Sequence, residues 1–311
     1  MKTEISNTQV AEVTKNDIPV TNSIIKIKDL SEKMIIIRLS IGSFVGTKKD
    51  TRASKDMVKS EGTSQEFGYV TKKMLKGESF NKVTNLAQKI RSEFNKMTAP
   101  WNRDGEGVCK VTKYLDIKAK LEEMSREYYS AVDTLASNYD DLVKEDKAKL
   151  GGLYNQSDYP TLENFKSRFY IEIEPKPIEK SDFRSGALSD DEIKSINAQI
   201  ESRIEKSLAE VQRDNLRRVQ EKVLHLFNRV AKKNGKLHES AFTNIYEVIQ
   251  EARDLNVNEM PELDKMFDSL EANLSKYNAD SVRSSSNIRI AAATEAKTAL
   301  EQINSAMEAF M

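Results

Sequence analysis

From Ser189 to about Lys233 the chain reads as one uninterrupted amphipathic helix, and its length limits what the rest can fold into. Ser189-Asp190-Asp191-Glu192 is a capping box: the serine oxygen accepts the N3 amide and Glu192 reaches back. Its acids suit the positive end of the helix dipole. Ile193, Ile200, Ile204, Leu208, Val211, Val219, Val223, Leu226, Phe227 and Val230 then recur at helical spacing, until Asn234-Gly235 ends the pattern. At about 1.5 Å per residue such a helix is roughly 65 Å long. It is too long for a compact ball, so it must span a bundle and project, or pack on another chain.

Composition agrees. Of 311 residues 38% are apolar and 32% charged, against about 45–50% and about 25% in an ordinary domain. Narrow apolar stripes on long helices need fewer apolar residues than a globular interior. Six Pro and eleven Gly are too few for a turn-rich β-sandwich. The single Cys109 excludes an intramolecular disulfide and multi-cysteine zinc sites. No stretch reads as a signal peptide or a membrane span, so a soluble cytoplasmic protein is expected, with no membrane partner.

Other segments can be placed by period. Residues 1–21 are polar and aperiodic and read as a flexible tail. Residues 22–78 read as a strand followed by a basic, irregular arm. The strand is carried by Ile35, Ile37, Leu39 and Ile41 alternating with Ile36, Arg38 and Ser40, and Gly42 and Gly46 end it. Residues 79–311 read as a helical body. Ser79 is its first N-cap, with Val83, Leu86, Ile90 and Phe94 on the stripe that follows; a second helix covers about 113–150, and a short one 161–165. A second strand near 169–174 ends at Pro175 and Pro177. Helices at about 239–255 and 261–277, a serine-rich joint at 281–286 and a last helix complete the chain. Two lone strands would leave open edges, so they should pair, with room for a short third. The expected fold is mainly α: an elongated helical bundle with long helices plus a small two- or three-stranded sheet.

No catalytic constellation emerges. His225, beside Leu224 and Leu226, reads as a packed core or rim histidine, and His238 as a cap or a solvated residue. They are 13 apart without HExxH spacing, so no metal is expected. Residues 42–49, GSFVGTKK, miss the phosphate-loop spacing: three residues separate the glycines and Thr precedes Lys. Cys109, read as a loop residue, has no histidine near it to form a nucleophile pair. The chain is expected to be no enzyme and to carry no cofactor.

The 49 basic and 49 acidic side chains cancel, but unevenly. Residues 1–100 carry 18 basic and 11 acidic side chains, and 251–311 carry 6 and 11. The densest basic stretch holds Lys48, Lys49, Arg52, Lys55, Lys72, Lys73, Lys76 and Lys82, with Phe67, Tyr69, Phe80, Trp101 and Arg103 nearby. Cations along phosphates with rings under bases hold single-stranded nucleic acid. The candidate interface is therefore Lys48, Lys49, Arg52, Lys55, Lys72, Lys73, Lys76, Lys82, Trp101 and Arg103. A solvated face accounts for the lysines equally well, and core packing for Phe80 and Trp101. The basic stretch points to an oligomeric binding protein for single-stranded DNA or RNA. The long helix and apolar C-terminus point instead to a self-assembling structural or host-interaction protein, which could bind a host or phage protein.

Segments IIIRLSIGSFVGTKK, NYDDLVKEDKAKLGGLYNQSDYP and FYIEIEPKPI, with the DFR that follows, resemble a family of bacteriophage and integrative-element proteins of unknown function. Similarity would cover most of residues 33–311. The resemblance implies a phage or mobile-element origin, action in the host cytoplasm and a part in nucleic-acid metabolism such as replication or recombination. It carries over no site residue.

Overall fold

The computed structural model describes residues 30, 32–64, 66–101, 105–179, 182–232, 237–257 and 259–310. The 1–21 tail and the Asn234-Gly235 stop lie outside them. The protein is mainly α, with a four-stranded and a separate two-stranded sheet among the described residues.

The first strand, β1 (Met34–Gly42), is the centre of the larger sheet. It pairs antiparallel with β6 (Tyr170–Lys176), Leu39 opposite Ile173. The two strands legible in the sequence therefore sit side by side. On its other side β1 pairs with β5 (Glu106–Lys110), which pairs with β4 (Ala99–Pro100). The sheet is thus larger than expected, because residues 105–110 form a strand where the glycines suggested a loop. Its residues Val108 and Cys109 are buried. Gly107 is required there: a Cβ would lie 2.2 Å from Thr98 Oγ1. The sixth strand also runs through Pro175, which an edge position permits because one side of the strand needs no donor.

Alternate residues of β1 feed different cores. Ile37 is buried, and Ile35, Leu39 and Ile41 pack beside it, against α2 (Glu78–Met97), α3 (Val111–Ser137) and α4 (Tyr139–Leu150). Met34 and Ile36 point the other way, onto Ile204, Leu208 and Val211 of the long helix α6 (Asp190–Ala231). Farther along, α6 builds a third core with α7 (Ser240–Asp254), α8 (Pro261–Leu274), α9 (Ala279–Ser284) and α10 (Ser286–Glu308). The capping box forms as expected, the Glu192 amide reaching Ser189 Oγ at 3.3 Å. The serine-rich joint closes α9, and Ser285 caps α10.

The expected helix over 113–150 is two helices. Asn138, with φ −95° and ψ 3°, breaks it. The bend brings Tyr139 to within 4.5 Å of the Phe165 ring on α5 (Leu162–Lys166). It also lets buried Asp146 accept from the Leu75 N–H at 2.6 Å and the Tyr159 hydroxyl at 2.8 Å. Helix α2 begins after Gly77 rather than at Ser79.

The arm at 47–78 is not irregular. It forms β2 (Thr47–Asp50), α1 (Thr51–Glu61) and β3 (Val70–Lys73), with β2 and β3 antiparallel. Asp50 caps α1 through the Ala53 N–H at 2.9 Å, and Gly62, at φ 62°, closes it in the left-handed conformation that suits glycine. Such short polar elements lack hydrophobic periodicity, so pattern reading misses them.

The β1–α6 half and the bundle meet across a polar seam. Lys33 lies 2.5 Å from Glu259, Lys96 2.8 Å from Glu251 and Lys113 3.0 Å from Asp254. Arg218 adds hydrogen bonds to Asp214 at 2.8 Å and the Thr98 carbonyl at 3.0 Å.

Phe165, fully buried among Phe44, Tyr139 and Phe169, tests this packing. Phe165→Ala should cost about 3–5 kcal/mol in urea unfolding, whereas Leu162→Ala, at a largely exposed neighbour, should stay below about 1 kcal/mol.

Candidate nucleic-acid interface

The basic stretch folds into the small β2–α1–β3 module, whose two faces do different things. Strand pairing sets Lys48 opposite Lys72 and Asp50 opposite Val70, while Lys49 faces Thr71 and Thr47 faces Lys73. Opposite residues share a face, so the lysines divide.

The inward face is an ion-pair anchor. Lys72, only 4% exposed, lies 2.5 Å from Asp158 and 3.4 Å from Asp50, and it donates to the Leu153 carbonyl at 2.6 Å. Lys48 completes the group 2.6 Å from the other Asp158 oxygen. Arg52 donates to the Gly152 carbonyl. A hollow of about 400 Å³ beside this anchor is lined by these groups together with Lys49, Thr51, Tyr154 and Asn155, and its cations other than Lys49 are held by carboxylates or main-chain carbonyls. Burial raises the Asp158 carboxyl, but hydrogen bonds from Lys48 and Lys72 outweigh that and hold it below its ordinary value. Asp50 is held low first by the Ala53 N–H and then, against burial, by Lys72. Reading Lys72 as a phosphate contact is therefore corrected: its charge is spent inside the fold.

The outward face has different chemistry. Thr47, Lys49, Thr71 and Lys73 are all exposed, and none is acidic. Tyr69, 61% exposed, lies under the Lys49 amine at 4.8 Å from ring centroid to Nζ. Phe67 follows at 86% exposed. Lys55 is exposed on α1, and Lys76 just past β3.

The remaining candidates lie elsewhere. Lys82 is exposed on α2 in a hollow of about 530 Å³ shared with Glu78, Asp141 and Glu145, whose carboxylates repel phosphate. Trp101 packs against the core between β1 and α6, and its backbone N–H donates to the Glu106 carbonyl at 3.0 Å. The 20 residues of α2, about 30 Å, separate it from Lys76. Trp101 is corrected to a packing residue, and Arg103 lies outside the described residues. The exposed rings are Phe67 and Tyr69 instead. Sequence reasoning missed Asp50 and Asp158 as lysine partners; the cap position of Asp50 ahead of Thr51-Arg52-Ala53 was the available signal.

Other chemistry-bearing groups have settled roles. Cys109 lies buried in β5, where burial pushes its thiol up to about 12. His225 is exposed rather than packed, because Leu226 takes the buried side of α6 and its neighbour is turned about 100° away; His238 is also exposed. Among the described residues no group of three or more His, Cys, Asp and Glu could hold a metal ion, and no helix is long and apolar enough to cross a membrane.

Comparison with known proteins gives no match, whether to a family model, to a curated protein or to a solved structure.

Removing one member of the buried anchor strands the others. Lys72→Ala should cost about 3–5 kcal/mol, and Lys73→Ala on the outward face about 0.5 kcal/mol or less, both by chemical denaturation. Asp50 and Asp158 titrate below their ordinary value when folded, so their contribution is complete above about pH 4 and is lost as pH falls through the lowered values. Amide protection factors at Val70 and Thr71 should therefore fall in acid before those in α3 do.

Proposed function

We propose that the protein is a non-enzymatic binding protein for single-stranded nucleic acid, and that the outward face of the β2–α1–β3 module is its contact surface. One observation carries this reading: Lys49, Lys73 and the exposed ring of Tyr69 share a strand face whose other strand residues, Thr47 and Thr71, are not acidic. The lysines would meet phosphates, and Tyr69 and Phe67 would stack under bases, which is sequence-tolerant because every base has a π-face. A hairpin surface of this size would cover a few nucleotides, so several copies along a strand would be needed for firm binding. An accessory part in phage DNA metabolism, in replication or recombination within the host cytoplasm, is the setting that the segment resemblance supplies.

Fluorescence anisotropy with labelled single-stranded DNA and RNA oligonucleotides tests this. Binding should fall steeply with salt, by about 0.7 in log–log slope per phosphate contacted. Lys49→Glu with Lys73→Glu should weaken it at least about tenfold and flatten the slope by roughly 1–2. Tyr69→Ala should cost about 1–3 kcal/mol without the change in slope. Absence of binding at low salt, or binding indifferent to all three changes, would overturn the assignment. Lys72 is unsuitable for this purpose, since its loss perturbs the fold itself.

A further inference from the structure

Helix α6 carries unlike surfaces at its two ends. None of the first fourteen residues, 190–203, is buried. Around that tip Phe183 is 40% and Leu188 38% exposed, while Ile193 and Ile196 are half-buried. The Phe183 backbone is pinned to the helix by Asn197, at 2.9 Å and 3.2 Å. Among the described residues Asp182, Asp190, Asp191 and Glu192 rim this apolar tip, with the cations Arg184 and Lys194, the latter 3.7 Å from Asp191.

At the far end a groove of about 510 Å³ opens between the last turns of α6 and the start of α10. Its floor is apolar: Phe227, Ala231, Ala293 and Ile290, the last 63% exposed. Arg289, which also donates to the Lys232 carbonyl at 2.8 Å, and Lys297, 3.8 Å from Glu301, form its rim. No carboxylate lines it among the described residues.

We infer that the acidic apolar tip of α6 in one copy docks in the basic apolar groove of a second copy. Both complementary halves belong to the same chain, yet one continuous helix holds them about 50 Å apart, so a tip cannot fill its own groove. Such a contact closes reciprocally when two copies lie antiparallel, each tip in the other's groove, and propagates head to tail into a ring or a filament when they do not.

Light scattering on the full chain without nucleic acid, across protein concentration at low and high salt, reads this directly. Mass should climb above the monomer at low salt and fall back in high salt as the charges are screened. Asp190→Lys with Asp191→Lys leaves the Ser189–Glu192 cap intact and should raise the concentration needed for assembly at least about tenfold; so should Arg289→Glu with Lys297→Glu. A chain carrying both reversals should assemble again, as should an equimolar mixture of the two single-end variants. Far-UV circular dichroism checks folding. Should Arg289→Glu loosen the start of α10, Ile290→Asp with Lys297→Glu blocks the groove at two exposed positions. A monomer at every concentration, assembly indifferent to both reversals, or no recovery when folded reversed ends are combined would each overturn the inference.

Discussion

The two-sided burial of β1 is the constraint on which the structure depends. Ile35 and Ile37 face the α2–α4 layer, while Met34 and Ile36 face α6. A one-residue slip would exchange the two sets and present Arg38 and Ser40 to a helical layer. Pairing on both sides, with β5 and β6, locks the register. The long helix is thereby fixed at one place along its length, and the bundle of α7 to α10 is built on what remains of it. Where α6 no longer covers the strand, the residues on that face turn polar.

The uneven charge of the chain has a structural use. Three cations of the basic first part of the chain or its border, Lys33, Lys96 and Lys113, pair with Glu259, Glu251 and Asp254 of the acidic last part. Each pair is partly exposed and worth little alone. Their common polarity still orients the bundle on the sheet-bearing half, where the opposite placement would set like charges together. Part of the excess that first suggested nucleic acid is accordingly spent within the molecule, here and again at Lys48 and Lys72. Of what is left over, Lys49 and Lys73 lie on the outward hairpin face.

Legibility from sequence followed apolar periodicity. The capping box and apolar stripe located α6 to within a few residues, and the β-branched alternation of β1 and the Ile171/Ile173 pair located the strands that meet. Where long-range pairing rather than local pattern decides, reading failed: β5 is a strand because β1 and β4 flank it, and Gly107 is tolerated because Thr98 needs the space. Asn138 breaks a stripe that reads as continuous, since a bend of one residue hardly disturbs the period. At the candidate site the residue types were right and their directions were not. Alternation along two four-residue strands sends Lys72 inward and Lys73 outward, and only a known register separates them.

Among the described residues from Val45 to Lys73, the β2–α1–β3 module contributes no side chain to the three apolar cores. Charge pairs, carbonyl acceptors and its own strand pairing keep it in place, while Phe44 and the Met74-Leu75 pair bury themselves on either side as moorings. Cooperative unfolding units follow shared apolar contacts, so this unit can open and close while the helical body stays intact. A unit held in this way belongs at the low end of the range of local opening free energies, so the hairpin can loosen without unravelling the helices that carry it.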